Sequence, residues 1–197
     1  DIGDSVAALN RNTKIIKRKS NFYEQLYQYR KVKNVSTVLL AKDNKPLNEP
    51  TIIERIDFDK FILSSDELPS VIDENATIEI ISPVLKRGKY NWRGIYNNEI
   101  IPFSMKDKDF KDQVIQSSVP FKNGTCIDCV LEIKREISEF GAIVNSGYSV
   151  TTVLHHYDID TKQKIETLQG KRYRLKKEYE KNQTDLFSEN IPKNPKE

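Results

Sequence analysis

The chain is poor in the residues that support disulfide stapling, metal binding and redox chemistry. Its 197 residues include two cysteines, two histidines, one tryptophan and one methionine. Cys126 and Cys129 have no further cysteine partners, which excludes a disulfide framework and makes a reducing cytoplasm the expected compartment. No run approaches the ~20 apolar residues of a transmembrane helix, and no secretory segment is recognisable. We therefore expect a cytoplasmic protein that does not enter a membrane.

The chain also lacks a strong excess of either charge. Its 32 Lys and Arg residues oppose 29 Asp and Glu residues, which leaves a formal net charge of +3. So small an excess does not identify a nucleic-acid-binding protein, and only a local cluster of cations could do so. Apolar residues make up 37% of the chain and charged residues 31%, a balance that predicts a medium-sized core with solvated flanks.

Signatures of catalysis are missing as well. Acidic residues are frequent, but no nucleophile, glycine-rich phosphate loop or metal-ligand set accompanies them. The nearest approach to a metal site is the pair Cys126 and Cys129 together with His155 and His156. Residues one or three apart on a strand point to opposite faces, so these four side chains are not expected to converge. We predict no zinc, no cofactor and no catalytic residue, with Cys129 as a small core residue.

Hydrophobic periodicity divides the chain into three segments. Residues 1–34 predict a helical, basic N-terminal segment, and residues 35–158 show the period of two that indicates strands. Residues 159–197 lack a broad apolar stripe, and Gly170 interrupts their helical pattern, which predicts a flexible charged tail. The predicted fold is α+β and mainly antiparallel β, a small barrel or sandwich-like sheet with N-terminal helices and that tail.

Several stretches of the β-rich segment carry more specific predictions. The run 51–65 has the composition of a strand, and residues 89–105 predict a hairpin that turns at two adjacent asparagines. Residues 107–118 predict a short helix. The runs 125–137 and 147–157 alternate on either side of a glycine-containing loop, which predicts a second antiparallel hairpin.

The first predicted hairpin interleaves cations with aromatic residues in the sequence LKRGKYNWRGIY. Aromatic side chains on a sheet can stack with unpaired bases while neighbouring cations contact phosphates. The candidate residues for binding DNA or RNA are Lys86, Arg87, Lys89, Tyr90, Trp92, Arg93 and Tyr96. The alternative is that the three aromatic residues, which share one parity along the strand, form the inward face of the hairpin.

The polar C-terminal segment contains an adjacent Leu186 and Phe187, in the sequence QTDLF. Two large apolar side chains in a solvated tail are typical of a ligand for a hydrophobic groove. The stretch resembles the bacterial sliding-clamp-binding motif, which specifies Gln, any residue, Asp or Ser, Leu and Phe. The resemblance implies that Gln183, Asp185, Leu186 and Phe187 bind the DNA polymerase processivity clamp. The alternative is that Leu186 and Phe187 fold back onto the sheet.

The remainder of the chain resembles β-rich C-terminal domains of bacterial proteins found near mobile elements, a likeness carried by the progression YNWRGIY and IIPFSM. No activity follows from that likeness. The combined expectation is a non-enzymatic bacterial binding module for DNA replication or repair, attached to the sliding clamp by its tail. Two alternatives stay open: a single-stranded nucleic-acid-binding domain that uses the aromatic hairpin, and a regulatory domain of a larger enzyme.

Overall fold

The structure, a computed structural model, describes residues 11–119 and 121–188. These residues form two compact units. The N-terminal unit consists of residues 11–69 together with Arg135–Asn145, and the barrel unit consists of Ser70–Lys134 together with residues 146–188. These bounds differ from the predicted segment boundaries at residues 34 and 158.

The N-terminal unit is built around helix α1, Thr13–Gln28. The side chain of Asn12 caps the helix by accepting a hydrogen bond from the backbone N–H of Lys14. The helix buries Tyr23, whose ring stacks on Phe61 with the ring centroids 4.7 Å apart and lies 5.2 Å from Phe58. An aromatic cluster therefore forms the small core of this unit.

A two-stranded antiparallel sheet completes this unit. Its strands are β1, Asn34–Thr37, and β2, Thr51–Glu54. A 3₁₀ helix, Arg55–Phe61, follows β2 and supplies the buried Phe58. The guanidinium group of Arg55 donates hydrogen bonds to backbone carbonyls at the end of α1 and just beyond it, those of Leu26, Tyr27, Tyr29 and Val32. One cation thus bonds four carbonyl groups around the helix end, where the peptide dipoles favour positive charge. The carbonyls of Leu26 and Tyr29 also accept backbone N–H groups.

The barrel unit takes most of its residues from five strands and a helix. These elements are β3 (Glu67–Ser82), β4 (Asn91–Tyr96), β5 (Glu99–Met105), α2 (Lys108–Ile115), β6 (Thr125–Ile137) and β7 (Ile143–Asp158). The strands pair in the order β5-β4-β3-β6-β7, and a further parallel pairing of β5 with β7 closes the ring. If the five strands β3 to β7 are numbered one to five along the chain, their order around the ring is 1-2-3-5-4. Helix α2 lies between the third and fourth of them in the chain. This arrangement is that of an OB-fold barrel.

Alternating inward side chains fill the barrel. The largest fully buried side chains of the barrel are Trp92, Phe103, Phe110, Ile78, Ile127, Leu131, Val150, Val153 and Cys129. Phe110 comes from α2, so the helix closes one end of the barrel with its apolar face. A buried aromatic side chain of this size contributes ~2–3 kcal/mol by removal from water, and the core therefore depends on the aromatic residues.

Asp107 joins the helix to the closing strand. One carboxylate oxygen accepts a hydrogen bond from the backbone N–H of Phe110 at 3.0 Å, which caps α2. The other oxygen accepts from the backbone N–H of Val153 in β7 at 2.8 Å. Next to it, the N–H of Lys106 donates to the carbonyl of Val150. Only two residue pairs form the β5–β7 ladder, so these extra bonds contribute much of the closure.

The C-terminal segment adds a strand and a helix to the barrel unit. Strand β8, Ile165–Glu166, pairs with β7, and helix α3, Leu168–Ser188, follows. The hydroxyl of Thr167 donates to the carbonyl of Val153 and accepts from the N–H of Gly170. A Cβ at position 170 would collide with the backbone of Leu154. Gly170, read from the sequence as an interruption, instead lets the first turn of the helix approach β7 closely.

The α+β fold with mainly antiparallel strands and an N-terminal helix is confirmed, and it takes the form of a barrel. Both hairpins and the helix in the stretch 107–118 are present. The strand prediction for 51–65 is wrong after Glu54, where the 3₁₀ helix begins. Alternation in that stretch reflects the burial of Phe58 against Tyr23 rather than a pleated strand.

We expect the Asp107→Ala substitution to lower the free energy of unfolding by about 2–4 kcal/mol, because it leaves two N–H groups without their acceptor. Asp112→Ala is the matched control, since Asp112 lies on the same helix in an exposed ion pair with Arg87 at 3.9 Å. That pair should contribute less than about 1 kcal/mol. Urea denaturation of both variants measures the difference, and equal midpoints would contradict the role of Asp107.

Candidate nucleic-acid interface

The loop between β3 and β4 presents cations on a defined scaffold. We call residues 86–90 the basic loop. Lys86, Arg87, Lys89 and Tyr90 are all exposed. Gly88 adopts φ +139°, and the ring of Tyr90 lies where a side chain at Gly88 would be, 2.7 Å from the position of its Cβ. Both the φ value and this contact require glycine at position 88. The tyrosine ring occupies the space that a side chain at this position would fill.

Helix α2 fixes the other side of the basic loop. Lys111 donates a hydrogen bond from Nζ to the carbonyl of Gly88 at 2.8 Å. A cleft of about 260 Å³ lies at this junction; its lining includes Arg87, Lys108 and Lys111. We call it the first cleft. Asp112 also lines it and lies 3.9 Å from the guanidinium of Arg87, so one carboxylate is set against three cations. Such an excess of positive charge favours a phosphate or carboxylate ligand.

The sequence did not single out Lys108 and Lys111. Both belong to the stretch DKDFKD, in which three acidic residues surround the two lysines. The structure removes Asp107 from the surface by burying it, while Lys108 stays exposed beside the basic loop. The cluster arises from the placement of α2 beside the basic loop, which the local sequence pattern does not contain.

Trp92 is a core residue and is not available for stacking with a base. Its side chain is fully buried, and its ring packs against Phe103, Phe110 and Phe121 with centroid distances of 6.2, 6.4 and 5.9 Å. The indole N–H has no hydrogen-bond partner among the described residues. The inward-face alternative of the sequence analysis holds for Trp92, and the tryptophan must be removed from the candidate interface.

Tyr96 and Arg93 lie apart from the basic loop cluster. Tyr96 is half-buried, and its hydroxyl donates to a carboxylate oxygen of Asp73 at 2.7 Å. Burial, and then this hydrogen bond, raises the pKa of Tyr96 to about 12. Arg93 is exposed on the outer face of β4, between the inward-facing Trp92 and Gly94. Of the three aromatic candidates, the structure leaves Tyr90 with an exposed ring, and 51% of this residue is accessible.

The cysteines and histidines do not converge on a metal site. Cys126 and Cys129 are both buried, and burial raises the pKa of each thiol. His155 lies 3.6 Å from a carboxylate oxygen of Asp128, whereas His156 is packed near the ring of Phe110. Across the described residues, no group of three or more His, Cys, Asp or Glu side chains has the arrangement of a metal site.

The clamp-like motif lies at the end of α3. Residues 178–183 are exposed, and the side-chain amide of Gln183 donates to the hydroxyl of Tyr179 at 2.9 Å. The backbone remains helical to Ser188. The side chains of Asp185, Leu186 and Phe187 lie outside the described part of the structure. The backbone of the motif thus belongs to the last turns of α3, and the residues just before it are exposed.

Comparisons with known proteins give no relative: the chain matches no protein-family model, no curated protein and no solved structure. The described residues contain no helix that is both long and apolar enough to cross a membrane.

The different settings of Trp92 and Tyr90 predict different costs of substitution. We expect Trp92→Ala to lower the free energy of unfolding by about 3–5 kcal/mol, because it leaves a cavity among three rings. Trp92→Phe keeps an aromatic ring and should cost far less, while Tyr90→Ala at the surface should cost about 1 kcal/mol or less. Thermal melts of the three variants measure this order. A Trp92→Ala variant as stable as Tyr90→Ala would contradict the core assignment.

Proposed function

We propose that the barrel unit is a non-enzymatic module that binds single-stranded nucleic acid through the basic loop. The observation that carries the proposal is the arrangement of one exposed aromatic ring, Tyr90, among the exposed cations Lys86, Arg87 and Lys89. Proteins that bind single strands without strong sequence preference combine cations along the phosphates with aromatic rings that stack on bases.

Two contacts of the basic loop support the proposal. The Tyr90 ring lies against Gly88, and Lys111 donates to the carbonyl of that glycine. These contacts restrict the loop before a ligand binds, which lowers the entropy cost of binding. OB-fold barrels commonly bind oligonucleotides through loops in this position, an analogy of fold that supports the proposal without establishing it.

Fluorescence anisotropy with a labelled oligothymidylate tests the proposal. We expect binding that weakens as salt rises, because the cations displace counterions from the phosphates. Tyr90→Ala should reduce the affinity by an amount equivalent to about 1–3 kcal/mol, the contribution of one stacked base. The combined change of Lys86, Arg87 and Lys89 to Ala should reduce the slope of log affinity against log salt concentration. The reduction should be about 0.7 for each phosphate contact that is lost.

Tyr29→Ala is the matched aromatic control, because Tyr29 is 64% exposed in the N-terminal unit, away from the basic loop in the sequence. The Tyr29→Ala variant should bind the oligonucleotide with the same affinity as the unchanged protein. A wild-type protein that binds no oligonucleotide at low salt would remove the proposal. Equal losses in the Tyr90→Ala and Tyr29→Ala variants would also contradict it.

As a second function, we propose that the QTDLF motif attaches the module to a bacterial sliding clamp. The exposure of residues 178–183, directly before and at the start of the motif, favours an accessible ligand over a segment packed on the barrel. Leu186 and Phe187 would supply the apolar burial, which is worth ~1.5–3 kcal/mol for each side chain. A cytoplasmic location belongs to the same proposal, since a clamp and two unpaired thiols both fit a reducing compartment.

A synthetic peptide of residues 180–190 should bind a bacterial sliding clamp in the micromolar range, which corresponds to ~8 kcal/mol. Changing both Leu186 and Phe187 to Ala should abolish binding, since little other apolar area is available. The paired control changes Lys181 and Asn182 to Ala and should bind as the original peptide does. Isothermal titration calorimetry gives the constants, and a wild-type peptide that ignores the clamp would reject the tether.

A further inference from the structure

A second cleft adjoins the first at the start of helix α2. It has a volume of about 310 Å³, and it is lined by Lys106, Asp107, Lys108, Asp109, Thr151, Thr152 and Gln169. We call it the second cleft. Lys108 lines both clefts, so its side chain connects them. The first cleft also includes Arg87 and Gly88 of the basic loop, so the three features are linked through shared residues.

The second cleft presents groups that suit a phosphodiester backbone. Lys106 and Lys108 are exposed cations, and Thr152 of the adjacent strand β7 adds a hydroxyl. The hydroxyl of Thr151 already donates to the carbonyl of Val130 at 3.1 Å. Hydroxyl, amide and ammonium groups are the usual partners of phosphate and sugar oxygens. The absence of an aromatic residue from its lining argues for contacts with the backbone rather than with bases.

The carboxylates in this region are engaged by the protein itself. Asp107 is buried and accepts two backbone hydrogen bonds. Asp109 accepts from the side-chain amide of Gln169 and lies 4.0 Å from Arg172, and Asp112 is paired with Arg87. Asp107 and Asp109 both line the second cleft, but Asp107 is buried and Asp109 is opposed by Arg172, so the exposed cations at positions 106 and 108 face an incoming anion.

The outer face of the β4–β5 hairpin offers a different route, and its chemistry is less suitable. The exposed residues there include Ile100, Pro102 and Arg93, and Ile95 is paired opposite Ile100. This surface has one cation and no aromatic side chain among its outward-facing residues on these two strands. It provides neither a row of phosphate contacts nor a stacking ring.

We propose that a single strand held at the basic loop continues along the first turn of α2, with successive phosphates in the first and second clefts and Lys108 between them. The inference rests on the proposed binding of single-stranded nucleic acid. It assigns Lys106, Lys108 and the hydroxyl of Thr152 to the binding site, and it excludes the outer face of β4–β5 from the main path.

Oligothymidylates of two lengths test the path, one of about four nucleotides and one of about twelve, which both fall within the usual site sizes of such barrels. The longer strand should bind more tightly. Lys106→Ala should lower the magnitude of the salt slope for the longer strand by about 0.7, the value for one phosphate contact. The same variant should leave the affinity for the shorter strand unchanged, because that strand occupies the basic loop and the first cleft.

Arg93→Ala and Lys134→Ala are the controls. Arg93 lies on the outer face of β4, and Lys134 is an exposed cation on β6. Each substitution therefore removes one positive charge outside the proposed path. Neither should alter the slope for the longer strand. A slope that falls with Arg93→Ala and not with Lys106→Ala would overturn the path while leaving the proposed function intact. No binding of either oligonucleotide to the unchanged protein would instead reject the proposed function.

Discussion

The closure of the barrel by Asp107 is the constraint on which the rest of the barrel unit depends. One buried carboxylate caps α2 and accepts the N–H of Val153, so the helix and the closing strand are fixed to each other. The parallel β5–β7 ladder has only two residue pairs, one of which also joins the hydroxyls of Ser104 and Ser149 at 2.9 Å. Without the carboxylate, the helix that carries Lys108 and Lys111 would keep its buried Phe110 and Val114 but lose its hydrogen bond to the closing strand.

The candidate site follows from that constraint. Because α2 is capped and anchored, Lys111 can reach the carbonyl of Gly88 and hold the basic loop against the helix. The loop then presents Tyr90 with its ring supported by a glycine rather than by bulky neighbours. Buried structural bonds and exposed ligand-binding groups therefore occupy consecutive positions of a single helical turn, with Asp107 inside and Lys108 outside.

Sequence periodicity predicted the fold better than the site. Alternation over 125–137 and the paired asparagines, whose φ values of 50° and 64° suit a tight hairpin turn, identified both hairpins because their signals are local. The same alternation misled the reading of 51–65, where Phe58 is buried by contact with a helix 35 residues earlier at Tyr23. Trp92 and Tyr90 share one parity, and the difference in their exposure arises where β4 begins at Asn91. The contribution of Lys108 and Lys111 required the long-range placement of α2 against the loop, which no local pattern contains.

The buried cysteines also have a consequence for how the barrel can be observed. Cys129 is fully buried within the barrel core, and its pKa is raised well above the ordinary thiol value, so little nucleophilic thiolate reaches solvent in the folded state. A thiol reagent can modify it only during moments when the strands separate. The rate of alkylation therefore reports how often the barrel opens, and this thiol is a built-in probe of those opening motions.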